Sequence, residues 1–144
     1  EIATASGYAK HALAPGENSP VRIIHNQVVD YATMKIEWNL SELTSHVAEG
    51  LVVSEHSEQR NKYGKVDISG KIENSGKHAA RFVEVLALCF DENDKLINLS
   101  SAYVKSDSVA PGDEARFMLS VYDSKPNKKI ERIEFRVTGS VDNR

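Results

Sequence analysis

The sequence predicts an all-β protein built as an antiparallel two-sheet sandwich, and three observations predict it. Apolar residues recur at every second position in several separate runs between Val66 and Val137. Turn chemistry interrupts those runs every ~8–12 residues, the spacing of sandwich and barrel proteins. No amphipathic helical pattern lies between consecutive runs, so the strands have no crossover helices and must pair antiparallel. A closed barrel is the alternative architecture. The length, 144 residues, fits one domain with an added tail and is enough to bury a single core.

Residues 1–20 hold Ala, Ser, Gly, Pro and Asn without a sustained period and end in Pro15-Gly16-Glu17-Asn18-Ser19-Pro20. The Pro-Gly pair and the second proline break regular structure, and this stretch reads as a flexible leader. Residues 21–50 read as an N-terminal extension. Val21, Ile23, Ile24, Val28 and Val29 are β-branched, and Met34, Ile36 and Trp38 alternate with Lys35 and Glu37, as in a strand with one apolar face. Asn39 with Glu42 three residues later offers a helix start, and Gly50 a helix end; a short helix over about 40–49 is expected. Ile36 and Trp38 need a partner surface, so the extension is expected to pack on the core of the sandwich.

Leu51-Val52-Val53 opens the next extended run. Val66, Ile68 and Ile72 are apolar while 67, 69, 71 and 73 are polar, and Asn74-Ser75-Gly76-Lys77 is turn chemistry. Phe82 to Phe90 is apolar on both faces except at Glu84, the pattern of an interior strand covered on both sides. Asp91 to Lys95 turns the chain into a weaker strand over about 96–104. Pro111-Gly112-Asp113 then leads into Ala115, Phe117, Leu119 and Val121, and Ile133, Phe135 and Val137 repeat the alternation. About six strands follow Leu51 and two precede it.

The order Tyr63 to Gly70, then Ile72-Glu73-Asn74, then Phe82-Val83-Glu84-Val85 resembles the opening of the FxLYD domain family. Ala87-Leu88-Cys89-Phe90-Asp91 stands where that family has its Phe-x-Leu-Tyr-Asp stretch: the aromatic and the Asp fit, while Ala87 and Cys89 replace larger residues. Val109 to Phe117 resembles the family's Pro-Gly turn and penultimate strand. The resemblance covers about residues 51–138 and leaves 139–144 as a tail. It implies an Ig-like sandwich of prokaryotic envelope or secreted proteins, without catalytic residues. Ala87 and Cys89 are expected to face the core, with Phe82 or Phe117 filling the space they leave.

Composition narrows the function classes. Residues 1–50 carry three cations against six acids, which accounts for the whole net charge of −3. An evenly mixed remainder supplies no concentrated basic face for nucleic acid; the lysines at 125, 128 and 129 share a turn with Pro126 and Asn127. No apolar run approaches the ~18 residues of a membrane span. Cys89 is the only cysteine, so no internal disulfide forms. The chain begins without Met, which suits a processed secreted chain or one freed of a membrane anchor.

No constellation carries chemistry. The histidines, His11, His25, His46, His56 and His78, show no i, i+4 pair. Glu55 and His56 are neighbours on a strand and should diverge to opposite faces. Asp91, Asn93 and Asp94 echo a calcium loop, but Leu96 and Ala102 stand where that loop needs Gly and an acid. A blue-copper site needs a His close after the Cys, and none follows His78. Neither a nucleophile elbow nor a phosphate loop is present. Asn39-Leu40-Ser41 and Asn98-Leu99-Ser100 match the glycosylation triplet. No catalytic, cofactor-binding or metal residue is therefore assigned, and no cofactor is expected. The expected protein is a non-catalytic extracytoplasmic module (cell surface, periplasmic or secreted) for spacing, scaffolding or contact with an unknown protein or envelope component. The alternatives are a small-molecule or metal-binding envelope protein and an accessory domain of a larger enzyme.

Overall fold

The computed structural model describes Val21, Ile23 and residues 35–37, 47–123 and 129–142. The chain divides into two compact units, Glu1–Thr44 and Ser45–Arg144. Within the first, Lys35 and Glu37 form an ion pair, and Ile23 and Ile36 are exposed. The expected leader over 1–20, Trp38, and the expected helix over 40–49 as far as residue 46 lie outside the described residues.

The second unit is all-β. Its strands are β1 (Leu51–Arg60), β2 (Lys65–Asn74), β3 (Ala80–Phe90), β4 (Leu96–Tyr103), β5 (Ser108–Val109), β6 (Glu114–Tyr122) and β7 (Arg132–Val141). All pairings are antiparallel. One sheet has the order β1-β2-β6; the other has β3 at its centre, with β4 and then the short β5 along one edge and β7 along the other. Two antiparallel sheets of three and four strands, with no helix among the described residues of this unit, make a β-sandwich. The two-residue β5 lies beyond the six strands expected, because it is too short to show a period. β7 also runs to Val141, three residues into the segment set apart as a tail.

The alternation seen in the sequence is the packing. Val66, Ile68 and Ile72 of β2 and Ala115, Phe117, Leu119 and Val121 of β6 are buried against Val83, Val85, Ala87 and Cys89 of β3. Sheet pairing fixes this arrangement, because a slip of one residue would turn each apolar set to water. β3 is covered on both sides: Leu86 and Leu88, on its other face, are buried with Leu99 of β4. Ala87 and Cys89 do face the core, both fully buried. Phe117 sits in that core, with Phe135 edge-on to it at 5.9 Å. Phe82, the other candidate for filling that space, is 68% exposed.

The ends of the sandwich are tied by polar groups. Asn74 is the only buried polar residue among those described. Its amide donates to the carbonyls of His78 and Val109 and accepts from the Gly76 N–H, while its backbone pairs with Asp113 and Gly112. This joins the turn after β2 to the turn before β6, and among the described residues no buried side-chain donor or acceptor is left unpaired. At the opposite end, Arg60 donates to both oxygens of Asp123 (2.7 and 2.8 Å) and to the Ile130 carbonyl, and Asp123 accepts from the Ile130 N–H at 2.9 Å. Lys105 N–H donates to Arg116 C=O, and the Asn98 side chain to Tyr122 C=O, which link β4 and the residues after it to β6 of the facing sheet.

Residues 47–50 belong to the sandwich. Val47 forms a β-bridge with Ser140, Ala48 N–H donates to Gly139 C=O, and Ala48 joins the core. The expected helix therefore does not extend to Val47. Gly50 has the positive φ of a helix-ending glycine, 80°, but its role differs: a Cβ there would lie 2.5 Å from the backbone nitrogen of Gly76.

Candidate functional site

The outer face of the β1-β2-β6 sheet is a grid of polar side chains set by register. Glu55, Lys71 and Arg116 form one row, Ser57, Ser69 and Met118 the next, and Gln59, Asp67 and Ser120 the third. Ser57 and Ser69 are short, so the centre of the face is low. The result is an open hollow of about 470 Å³ lined by these serines with Glu55, His56, Gly70, Lys71, Lys105, Arg116, Phe117 and Met118. Gly70 is required at this place, because a Cβ would lie 2.5 Å from the Glu55 carbonyl and 2.8 Å from the Phe117 ring.

Lys71 is the electrostatic centre of the hollow. Its ammonium lies 2.7 Å from Glu55 and 3.1 Å from Glu114. Hydrogen bonds to Glu55 and Glu114 raise the Lys71 pKa, and the same bond to Lys71 lowers that of Glu55. The hydroxyls of Ser57 and Ser69 share a hydrogen bond at 3.0 Å. A row further along, Lys65 and the Ser120 hydroxyl both bond to Asp67 and hold its carboxyl below its ordinary value.

A second surface feature lies on the other sheet. Phe82 has φ 51°, a left-handed conformation that costs a bulky L-residue roughly 1–2 kcal/mol. It stands at a bulge where the β3–β7 register shifts between Arg81 and Glu84. Its ring is 68% exposed, with the Arg81 guanidinium 5.3 Å from its centroid. Tyr103, opposite Glu84 on β4, is 64% exposed.

The remaining residues singled out in the sequence have structural places. Glu55 and His56 do diverge: Glu55 turns to Lys71, whereas His56 packs edge-on against Phe135 at 4.8 Å, with its Nε2 3.3 Å from Glu58. Asp91 accepts from the N–H groups of Asn93 and Lys95 as a turn residue, and Asp94 pairs with Arg132. Cys89 is buried, and burial pushes its thiol pKa up to about 11. Asn98 uses its side-chain amide to donate to Tyr122 C=O and its side-chain oxygen to accept from Leu99 N–H. Glycosylation there would remove that link between sheets. Among the described residues, no three His, Cys, Asp or Glu side chains converge as a metal site, and no helix is long and apolar enough to cross a membrane. His11, His25, His46, Asn39, Lys125 and Lys128 lie outside the described residues.

The hollow was not legible in the sequence. Each of its rows draws on three strands, of which β6 is distant in sequence, and only the strand register brings Ser57, Ser69 and Met118 together. Comparison with known proteins returned no match to a family model, a curated protein or a solved structure.

Proposed function

We propose that the chain is a non-catalytic, extracytoplasmic β-sandwich module that works by contacting a protein partner. The observation that carries this reading is Phe82. It is an exposed aromatic held in a strained backbone conformation, on the same sheet as a second exposed aromatic, Tyr103, which pairs with Glu84 two residues further along β3. Strain of this kind persists where the surrounding structure imposes it and clusters at functional positions. Large exposed aromatic side chains are the anchors of protein interfaces.

Electrostatics support the absence of catalysis from this reading. The carboxyls of Glu55, Asp67 and Asp123 are shifted down and Lys65, Lys71 and Arg132 up, each towards its charged form. Cys89 is shifted towards its unreactive thiol. Acid–base catalysis needs shifts in the other direction, towards neutral pH. The resemblance to FxLYD domains supports an envelope or secreted location. Two stretches that carry that resemblance meet in space, where the Asn74 backbone bonds to Asp113 and Gly112.

The test combines location with contact. Fractionation of the source cells should recover the protein in the envelope or the medium, and a photo-crosslinker at position 82 or 103 should give one discrete protein adduct. A crosslinker at exposed Lys77 serves as the control. Recovery in the cytoplasm, or equal labelling from all three positions, would reject the proposal.

A further inference from the structure

The hollow on the β1-β2-β6 face has a charge arrangement that the fold does not need. Lys71, Arg116 and Lys105 gather at one side of it. Both nearby carboxylates, Glu55 and Glu114, lie within ion-pair distance of the Lys71 ammonium. Arg116 exerts a longer-range electrostatic pull on Glu55, but no described side chain bonds to the Arg116 guanidinium or the Lys105 ammonium. Like charges directly opposite one another destabilise a sheet, yet Lys71 stands opposite Arg116 in the β2–β6 register. Here two fixed cations remain beside a pair of hydroxyls, in a chain whose net charge is −3.

We propose that this hollow binds an acidic sugar residue of the uronate class. The carboxylate would take the forked guanidinium of Arg116 and the Lys105 ammonium, the strongest hydrogen-bond geometry open to it. The ring hydroxyls would meet Ser57, Ser69 and the Glu55 carboxylate, all exposed on the same face. Met118, 60% exposed, offers its soft apolar side chain to the C–H face of the ring. The volume, about 470 Å³, falls within the ~300–1,000 Å³ of small-molecule sites. Sugar is favoured over phosphate because two of these features, the Glu55 carboxylate and the Met118 thioether, are of no use to an inorganic oxyanion, whereas the serine hydroxyls serve either. The inference stands on the hollow alone: it does not depend on where the protein resides or on the Phe82 contact.

Amide chemical shifts of the full chain report on the site, with glucuronate, glucose and inorganic phosphate as probes at matched ionic strength. Glucuronate should move the amides of Ser57, Ser69 and Met118, and glucose should do so only at about tenfold higher concentration. Arg116→Ala and Lys105→Ala should each weaken glucuronate binding about tenfold. Both positions are exposed, and unchanged amides of Ile68 and Val85 confirm an intact core; Arg116→Gln and Lys105→Gln replace any variant that fails that check. Absence of shifts, binding unchanged in the variants, or a response to phosphate equal to that to glucuronate would each overturn the assignment.

Discussion

At the residue scale, three side chains can be separated by what they cost or contribute. Phe82 combines a positive φ with 68% exposure, so its ring gains little from burial while its backbone is strained. Phe82→Gly removes the strain and is expected to stabilise the fold by about 1 kcal/mol, whereas Phe82→Ala keeps it and should not. Urea unfolding of the two variants decides this. Asn74 is the opposite case: fully buried, with three side-chain hydrogen bonds. Asn74→Ala would leave two carbonyls and an N–H unpaired, and should cost about 3 kcal/mol or more in the same measurement. Cys89, buried with its thiol pushed up to about 11, should resist thiol reagents at pH 8 in the native protein and react on unfolding.

At the scale of elements, Gly70 tests how the three-stranded sheet and the core share space. The Phe117 ring occupies the room that a side chain at position 70 would take, so Gly70→Ala forces either the ring or the Glu55 backbone to move. The expected loss is about 2 kcal/mol, read from urea unfolding. The strands themselves were legible because period two is local: Val66, Ile68 and Ile72, or Phe117, Leu119 and Val121, declare their face without knowledge of a partner. Phe82 was not, since its exposure follows from a bulge set by pairing with β7 more than fifty residues away. β1 shows the same limit. Its second half, from Glu55 to Arg60, lacks an apolar stripe, yet it pairs with β2 through Arg60. The bulge between Val53 and Glu55 and the charged residues after it also protect this edge from pairing with other chains.

At the scale of the whole molecule, stability should depend on pH through carboxylates. Burial opposes the charge of Asp123, but the Ile130 N–H and the Arg60 guanidinium outweigh it and hold the carboxyl below its ordinary value. A depressed carboxyl contributes stability that is complete above its unfolded pKa and disappears as pH falls through the folded one. The melting temperature is therefore expected to decline as pH is lowered below about 4. Asp123→Asn should lower it at neutral pH and make that decline shallower. A decline as steep in the variant as in the parent would show that the Arg60–Asp123 link is not what titrates. This link was invisible in the sequence, because Arg60 and Asp123 stand 63 positions apart and neither lies in a recognisable motif.

The bridge between Val47 and Ser140 is antiparallel, so the strand entering the sandwich and the strand leaving it lie side by side and run in opposite directions. A module inserted in a longer polypeptide by two such neighbouring points hangs from it as a pendant and adds little to its reach. Force applied through both points would also part the Val47–Ser140 and Ala48–Gly139 contacts one after another, like a zip, and not load them all together. An attachment of that geometry suits presenting a surface to a neighbour better than bearing tension between distant anchors.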